Sequence, residues 1–379
     1  MSTDKRFRGR WPFGDDYTAY QTWRTRLEGG GGGGGGPYPL DYYLSVQGID
    51  TGETAPRMII CEAGASFPTT PTSLTSTAML SGTVDFVAND TSYDISTGKF
   101  FAGGGVEAAS SGKLYRSTQT AGTMPAIDEW EDISANLNSS GTFILSVLAR
   151  EGTVIVTGAN GYVEVSMDGG DSFAVPTLTG KSGASVIEGL SWDAATGYFY
   201  ILQFSASYLL WESQDSGATW SVYGAGGGTA PTSSYAICVH NGTALAGAGF
   251  GGLRRSTDGG DTWSSVAAFG LGSDVHHIDT DGAGNWQVVE RFGNGISYST
   301  DDGANWSNIY GWGAAAQWIT GVAYLQDRGW AQIYRQSSGV PTFLAGAVSG
   351  TGNKTITDNQ ITLKNNLQSG IAAANYPTS

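Results

Sequence analysis

One eight-residue pattern, Ser-x-Asp-x-Gly-x-x-Trp/Phe, occurs four times in this chain. The copies are Ser166-Met167-Asp168-Gly169-Gly170-Asp171-Ser172-Phe173, Ser213-Gln214-Asp215-Ser216-Gly217-Ala218-Thr219-Trp220, Ser256-Thr257-Asp258-Gly259-Gly260-Asp261-Thr262-Trp263 and Ser299-Thr300-Asp301-Asp302-Gly303-Ala304-Asn305-Trp306. Their first serines lie 47, 43 and 43 residues apart. A unit of this length cannot bury an apolar face alone, so it must stack on its neighbours. The period is that of a four-stranded β-propeller blade. The expected class is therefore all-β.

The chemistry within the motif supports a hairpin turn. The carboxylate of Asp168, Asp215, Asp258 or Asp301 can accept hydrogen bonds from nearby backbone N–H groups. Gly170, Gly217, Gly260 and Gly303 supply a positive φ. Phe173, Trp220, Trp263 and Trp306 each open a strand and offer a large apolar ring. A self-capping turn accounts for these residues without a calcium ion, and no cofactor or metal is expected.

The pattern resembles the Asp box of sialidases and many unrelated propellers. That resemblance implies a turn between strands three and four of a blade. The flanking sequence fits. Val275–Asp279, Asn285–Glu290 and Ile296–Ser299 read as three strands ahead of one near Trp306–Tyr310. Phe143–Leu148 with Thr153–Thr157, and Tyr235–Val239 with Thr243–Ala246, repeat the arrangement with Gly- or Asn-containing turns.

Two repeats lack the motif. Lys113–Ser117 resembles a third strand, but Gln119 replaces the Asp and an insertion precedes Trp130. Ile319–Leu325, Trp330–Tyr334 and Val340–Leu344 keep the strand spacing alone. The expectation is about six four-stranded blades over residues 83–360. Residues 37–82 hold irregular strands, Tyr42–Val46 and Met58–Cys61, that either close the ring or form a seventh blade. Residues 361–379 read as a polar tail.

The first 36 residues form a distinct segment, expected to be an extended arm. Residues 1–28 carry six basic against four acidic residues, a net of +2, which leaves −17 for the remainder of a chain at −15. Arg6, Arg8, Arg10, Trp11, Phe13, Tyr17, Tyr20, Trp23 and Arg24 are the candidate partner-docking residues. Arg and large aromatics anchor interfaces, and disordered tails are poor in aromatics. Eight glycines, Gly29 to Gly36, follow.

The acidic body argues against specific nucleic-acid binding, which needs concentrated Lys and Arg. It would suit a wall past which DNA moves. Charged residues make up 14% of the chain, below the usual ~25%, so the surface is rich in Ser, Thr, Asn and Gly. No secretory h-region follows the N-terminus, and no apolar run reaches the length of a membrane span. Cys61 and Cys238 are too sparse for a disulfide framework and read as small buried hydrophobes.

A catalytic site is not legible. The sialidase resemblance would imply three convergent arginines, a Tyr–Glu nucleophile pair and an Asp acid/base. The nearest match to the first arginine motif, Pro56-Arg57-Met58-Ile59, lacks its aromatic and proline. Arg116, Arg150, Arg254, Arg255, Arg291, Arg328 and Arg335 carry no mark of a set, and Arg254 and Arg255 are expected at a blade edge. Cys238 and His240 share a strand face, with His276 and His277 on the matching strand of the next repeat, and ordinary strand positions explain them. No catalytic residue is therefore assigned.

A propeller with a basic-aromatic arm, a polyglycine run and an acidic body resembles a bacteriophage virion component, such as the multimeric nozzle of a short tail. This implies a non-enzymatic structural protein, made in the host cytoplasm and located in the virion. Its partners would be other tail proteins and copies of itself. The alternatives are a receptor- or glycan-binding tail protein, with a host-surface glycan as partner, and a sialidase-like glycoside hydrolase.

Overall fold

The computed structural model describes residues 42–47, 57–62, 73–81, 86–94, 96–106, 111–120, 125–139, 142–181, 185–204, 209–224, 236–248, 252–266, 275–290, 296–308, 318–325, 329–335, 341–346, 352–355 and 371–373, with side chains between 79 and 307. The described strands form seven antiparallel sheets. Five are four-stranded and follow chain order without crossover. Blade II is Val87–Asp94, Lys99–Val106, Ser111–Ser117 and Trp130–Asp132. Blade IV is Ile187–Asp193, Tyr198–Gln203, Leu209–Ser213 and Ser221–Val222. Blade V is Ile237–His240, Thr243–Ala248, Gly252–Ser256 and Ser264–Ser265. Blade VI is Val275–Thr280, Trp286–Glu290, Ile296–Ser299 and Ser307–Asn308. Blade VII is Trp318–Leu325, Gly329–Arg335, Pro341–Gly346 and Gly352–Thr355.

Blade III has three strands, Ile144–Arg150, Thr153–Gly158 and Val163–Ser166, and its fourth is reduced to a single bridge between Val165 and Ala174. Blade I joins the two ends of the chain. Ile371–Ala373 pairs with Tyr42–Gln47, which continues into Arg57–Glu62 and Ser73–Ala78. The first strand of each blade contacts the first strand of the next. Ile371–Ala373 lies against both Trp318–Leu325 and Val87–Asp94, so the ring closes.

One sequence expectation is narrowed and one corrected here. About six blades were expected with a seventh left open, and the described strands form seven sheets, residues 42–78 joining 371–373 in the additional one. Residues 371–373, read as part of a trailing tail, supply that blade's innermost strand. Three residues pairing across more than 300 positions leave almost no local pattern. The arm and polyglycine run lie outside the described residues.

The cores sit between blades. Residues alternate along each middle strand between the two faces of the sheet. Val154 and Val156 pack toward blade II, whereas Ile155 packs toward blade IV. Phe199 and Ile201 face blade III, and Tyr200 and Leu202 face blade V. Both faces are covered, so Thr153–Gly158 is buried at every position, and its centre, Val154–Val156, is apolar on both faces rather than alternating. Fully burying a side chain such as Phe199 contributes ~1.5–3 kcal/mol, more than one neutral hydrogen bond at ~0.5–1.5 kcal/mol. Apolar stacking therefore holds the ring, and polar contacts set its register.

The innermost strands share a device. Register shifts occur between Ala88 and Asp90, Ile144 and Ser146, Ile187 and Gly189, Val275 and His277, and Ile319 and Gly321. A bulge at the same place in five blades raises local twist. Among the described residues no helix is long and apolar enough to cross a membrane.

Candidate functional site

The four repeated turns have one geometry. Each joins strands three and four, and in each the first serine and the aspartate cap the turn together. Ser166 Oγ donates to Asp168 Oδ1 at 2.7 Å and accepts from Gly170 N at 2.8 Å. Asp168 then accepts from Ser172 N at 2.9 Å and from Ser172 Oγ at 2.5 Å. Asp215 accepts in the same way from Thr219, Asp258 from Thr262 and Asp301 from Asn305. Gly217, Gly260 and Gly303 likewise donate to Ser213, Ser256 and Ser299.

The indoles finish the turn. Trp220, Trp263 and Trp306 donate from Nε1 to the carbonyls of Gly217, Gly260 and Gly303 at 3.0, 3.0 and 2.9 Å. Phe173 has no such donor and is simply buried. The bonds from Ser172 and Ser166 hold the Asp168 carboxyl down at about 2, and those from Asn305 and Ser299 do the same for Asp301. These are ionised, fully bonded carboxylates, poor candidates for proton transfer.

Three of the turns are also hydrogen-bonded to the blade before. Arg116 of blade II donates to the Gly169 carbonyl at 2.7 Å, to Asp171 at 2.7 Å and to Glu131 within its own blade at 2.6 Å. Thr153 of blade III donates to the Ser216 carbonyl at 3.0 Å. Arg255 of blade V donates to the Asp302 carbonyl at 2.7 Å and to its carboxylate at 3.2 Å. Thr243 donates to the same carboxylate at 2.5 Å. In these three copies the fourth position of the motif, Gly169, Ser216 or Asp302, is thus a docking point for the preceding blade.

A second motif went unread in the sequence. Ser92-Tyr93-Asp94-Ile95-Ser96-Thr97-Gly98 in blade II matches Ser191-Trp192-Asp193-Ala194-Ala195-Thr196-Gly197 in blade IV. Ser92 Oγ accepts from Ala149 N and Ser191 Oγ from Val239 N, both at 2.9 Å and both from the next innermost strand. Asp94 caps its own turn through Thr97 at 3.0 Å and reaches Gly152 N of blade III at 2.9 Å. Asp193 does the same through Thr196 at 2.9 Å and Asn241 N of blade V at 3.1 Å. The shared Ser-aromatic-Asp-x-x-Thr-Gly signal was visible, but it recurs in alternate blades and falls outside the expected period.

Several titratable groups lie on the innermost strands. Burial lifts the Asp90 carboxyl to about 7, against the pull of N–H donors from Val147 and Thr91. His240 bridges three blades, with Nδ1 3.4 Å from Asp193 and Nε2 3.0 Å from the Gly282 carbonyl. Burial opposes its charge, but Asp193 outweighs it and raises the imidazole above its ordinary value. His277 is half-buried, with its Nδ1 shielded and without a partner among the described residues, and this desolvation holds the imidazole down at about 4. Cys238 is a free, buried thiol pushed well up. Among the described residues no three His, Cys, Asp or Glu side chains group to hold a metal ion.

Three of the described arginines sit at separate junctions. Arg116 and Arg255 occupy blade edges, the latter as expected from its position before a motif. Arg150 is buried on the first strand of blade III, donating to Ser92 Oγ at 3.2 Å and to the Tyr93 carbonyl, with its guanidinium 5.9 Å from the Trp192 ring. These three share no partner. The side chains of Arg57 and Arg335, and all of Arg291 and Arg328, lie outside the described residues. So do the docking candidates Arg6, Arg8, Arg10, Trp11, Phe13, Tyr17, Tyr20, Trp23 and Arg24.

The solved structures that share this ring are propellers. The chain is 12% identical to the WD40 propeller domain of Doa1, with a TM-score of 0.54 over 86% of this chain and 95% of that one. The fold is a β-propeller. YCF48 bound to D1 peptide gives 0.52 at 12% identity over 79% and 92% of the two chains. A protein from Bacteroides uniformis described as a candidate 6-phosphogluconolactonase gives 0.55 at 12% over 90% and 98%. No family model and no curated protein matches the chain. At this identity the likeness concerns the fold, and function rests on residues.

Proposed function

We propose that this chain is a non-enzymatic structural component of a bacteriophage virion, a nozzle-like tail protein assembled as a multimer, and that its repeated turns are Asp boxes. The carrying observation is one of organisation: a basic-aromatic arm and eight glycines precede an acidic propeller. Supporting it, Arg116, Arg150 and Arg255 and the turn residues Asp168, Asp215, Asp258 and Asp301 with their serines are engaged in turns and blade junctions. A saturated carboxylate such as Asp168 stiffens a scaffold and is ill suited to general acid or base work.

The test is biochemical. Antibody against the purified chain should label intact particles at the tail, and the native mass of the isolated protein should correspond to a ring. Deleting residues 1–36 should leave a folded propeller that no longer enters particles. A fluorogenic sialoside and common glycosides should stay intact. Absence from purified particles would overturn the virion reading, and turnover lost on Arg57→Ala would overturn the non-enzymatic one.

A further inference from the structure

The exposed large apolar side chains among the described residues are Ile127, Met167, Val175 and Val222, at 45, 61, 58 and 42% exposure. All four lie on the outer rim of three consecutive blades. Ile127 belongs to the connection before the last strand of blade II, Met167 and Val175 flank the turn of blade III, and Val222 is in the outer strand of blade IV. The rim of blades V and VI differs. Its outer strands, Ser264–Ser265 and Ser307–Asn308, are polar. The motif's second position is Met167 in blade III but Gln214, Thr257 and Thr300 in the others.

Blade III is also the one among the described sheets whose outer strand is a single bridge. Beside Ile127 stand Asp128 and Glu129. Each accepts a backbone N–H, from Ser81 and Ala126, and neither pairs with a base among the described residues. Exposed apolar side chains on three consecutive blades, with carboxylates free of described bases beside Ile127, call for a ligand that carries both basic and aromatic groups. Residues 6–13 have that pattern. Arg6, Arg8 and Arg10 alternate with Phe7, Trp11 and Phe13, and in an extended segment a period of two puts the two sets on opposite faces.

We infer that the rim of blades II to IV binds residues 6–13 of a second copy of this chain. This rests on the multimeric reading above. The aromatics cover Met167, Val175 and Val222, and the arginines meet the flanking carboxylates.

A photo-crosslinking amino acid at position 11 of the full-length chain tests it, in an equal mixture of isotopically labelled and unlabelled protein. Crosslinks should join labelled to unlabelled copies and fall on the segments around 127, 167, 175 and 222. The exposed pair Met167→Asp with Val175→Asp should remove them and weaken self-association at least tenfold by sedimentation. The matched pair Ser265→Asp with Ser307→Asp should not. Crosslinks confined to single copies, or landing on blades V and VI, would overturn the inference, as would unaltered self-association in the Met167 and Val175 double variant. Detection of the chain in purified particles reads the virion assignment separately: a rim contact without particle incorporation sinks only that assignment, and incorporation without the rim contact sinks only this one.

Discussion

Arg255 of blade V holds Asp302 of blade VI at two points, its Nε on the backbone carbonyl at 2.7 Å and its Nη2 on the carboxylate at 3.2 Å. Asp302 sits in the left-handed region at φ 59 and also receives Thr243 Oγ1 and Trp286 Nε1. One residue of a turn therefore gathers donors from the preceding blade and its own. Arg255→Ala should lower stability by ~1.5–3 kcal/mol, the range for hydrogen bonds to charged groups, read as a shift in the urea midpoint. Arg255→Lys should recover only part of it, since an ammonium lacks the fork. A midpoint unchanged in both variants would show that the junction is incidental.

Gly259 and Gly260 are adjacent, both at positive φ, 72 and 82, yet they should respond differently to alanine. A Cβ at Gly259 meets nothing within 4 Å, whereas one at Gly260 would lie 2.3 Å from the Tyr223 ring of the previous blade. Gly259→Ala should cost ~1–2 kcal/mol for the left-handed backbone alone. Gly260→Ala adds overpacking, a further ~1–3 kcal/mol. Equal melting temperatures for the two would refute the inter-blade contact.

The turn aspartates should make the protein sensitive to acid. The carboxyls of Asp168 and Asp301 are held at about 2 in the fold, below the ordinary 3.8. A depressed folded value stabilises above the unfolded pKa, and that stability is lost as pH falls from about 4 toward 2. These groups are exposed, so solvent screening keeps each contribution small. Asp168→Asn with Asp301→Asn should flatten the acid limb of a pH–melting curve, and a limb of unchanged slope would count against it.

His240 should act in the opposite sense. Its folded pKa is raised, so its stabilisation is complete below the unfolded value of 6.5 and disappears as pH rises through the folded value. The groups facing it are Asp193, the Gly282 carbonyl and, farther off, Asp302. His240→Gln should remove this loss as pH rises above 6.5 in thermal melts. NMR titration showing the imidazole below its ordinary value would contradict the geometry.

The repeated turn was legible because every partner within it lies within five residues. Ser166, Asp168, Gly170 and Ser172 complete a self-contained hydrogen-bonded loop, so the motif predicted its own conformation. Strands such as Ile296–Ser299 and Thr243–Ala246 were legible because short segments of alternating or apolar residues between turn residues have few other solutions. The arginines were not, since which donor meets which carbonyl across a blade junction depends on how neighbouring sheets stack. Arg116 and Arg150 look alike in sequence, yet one reaches a surface turn and the other is buried beside Trp192.

The sequence by itself therefore determined the blade, its turn and its strand order, all of them consequences of short-range hydrogen bonding and period-two burial. The tertiary structure decided how the ring closes. Ile371–Ala373 joins Tyr42–Gln47 through three residue pairs, a contact with no local propensity behind it, formed because an open ring would leave the apolar faces of its end blades in water. It also decided why the fifth motif position is glycine in all four copies while the fourth admits Ser216 and Asp302. A Cβ at the fifth meets the preceding blade, at Ile133, Val165, Tyr223 or Leu245, and that neighbour exists only once the blades are stacked.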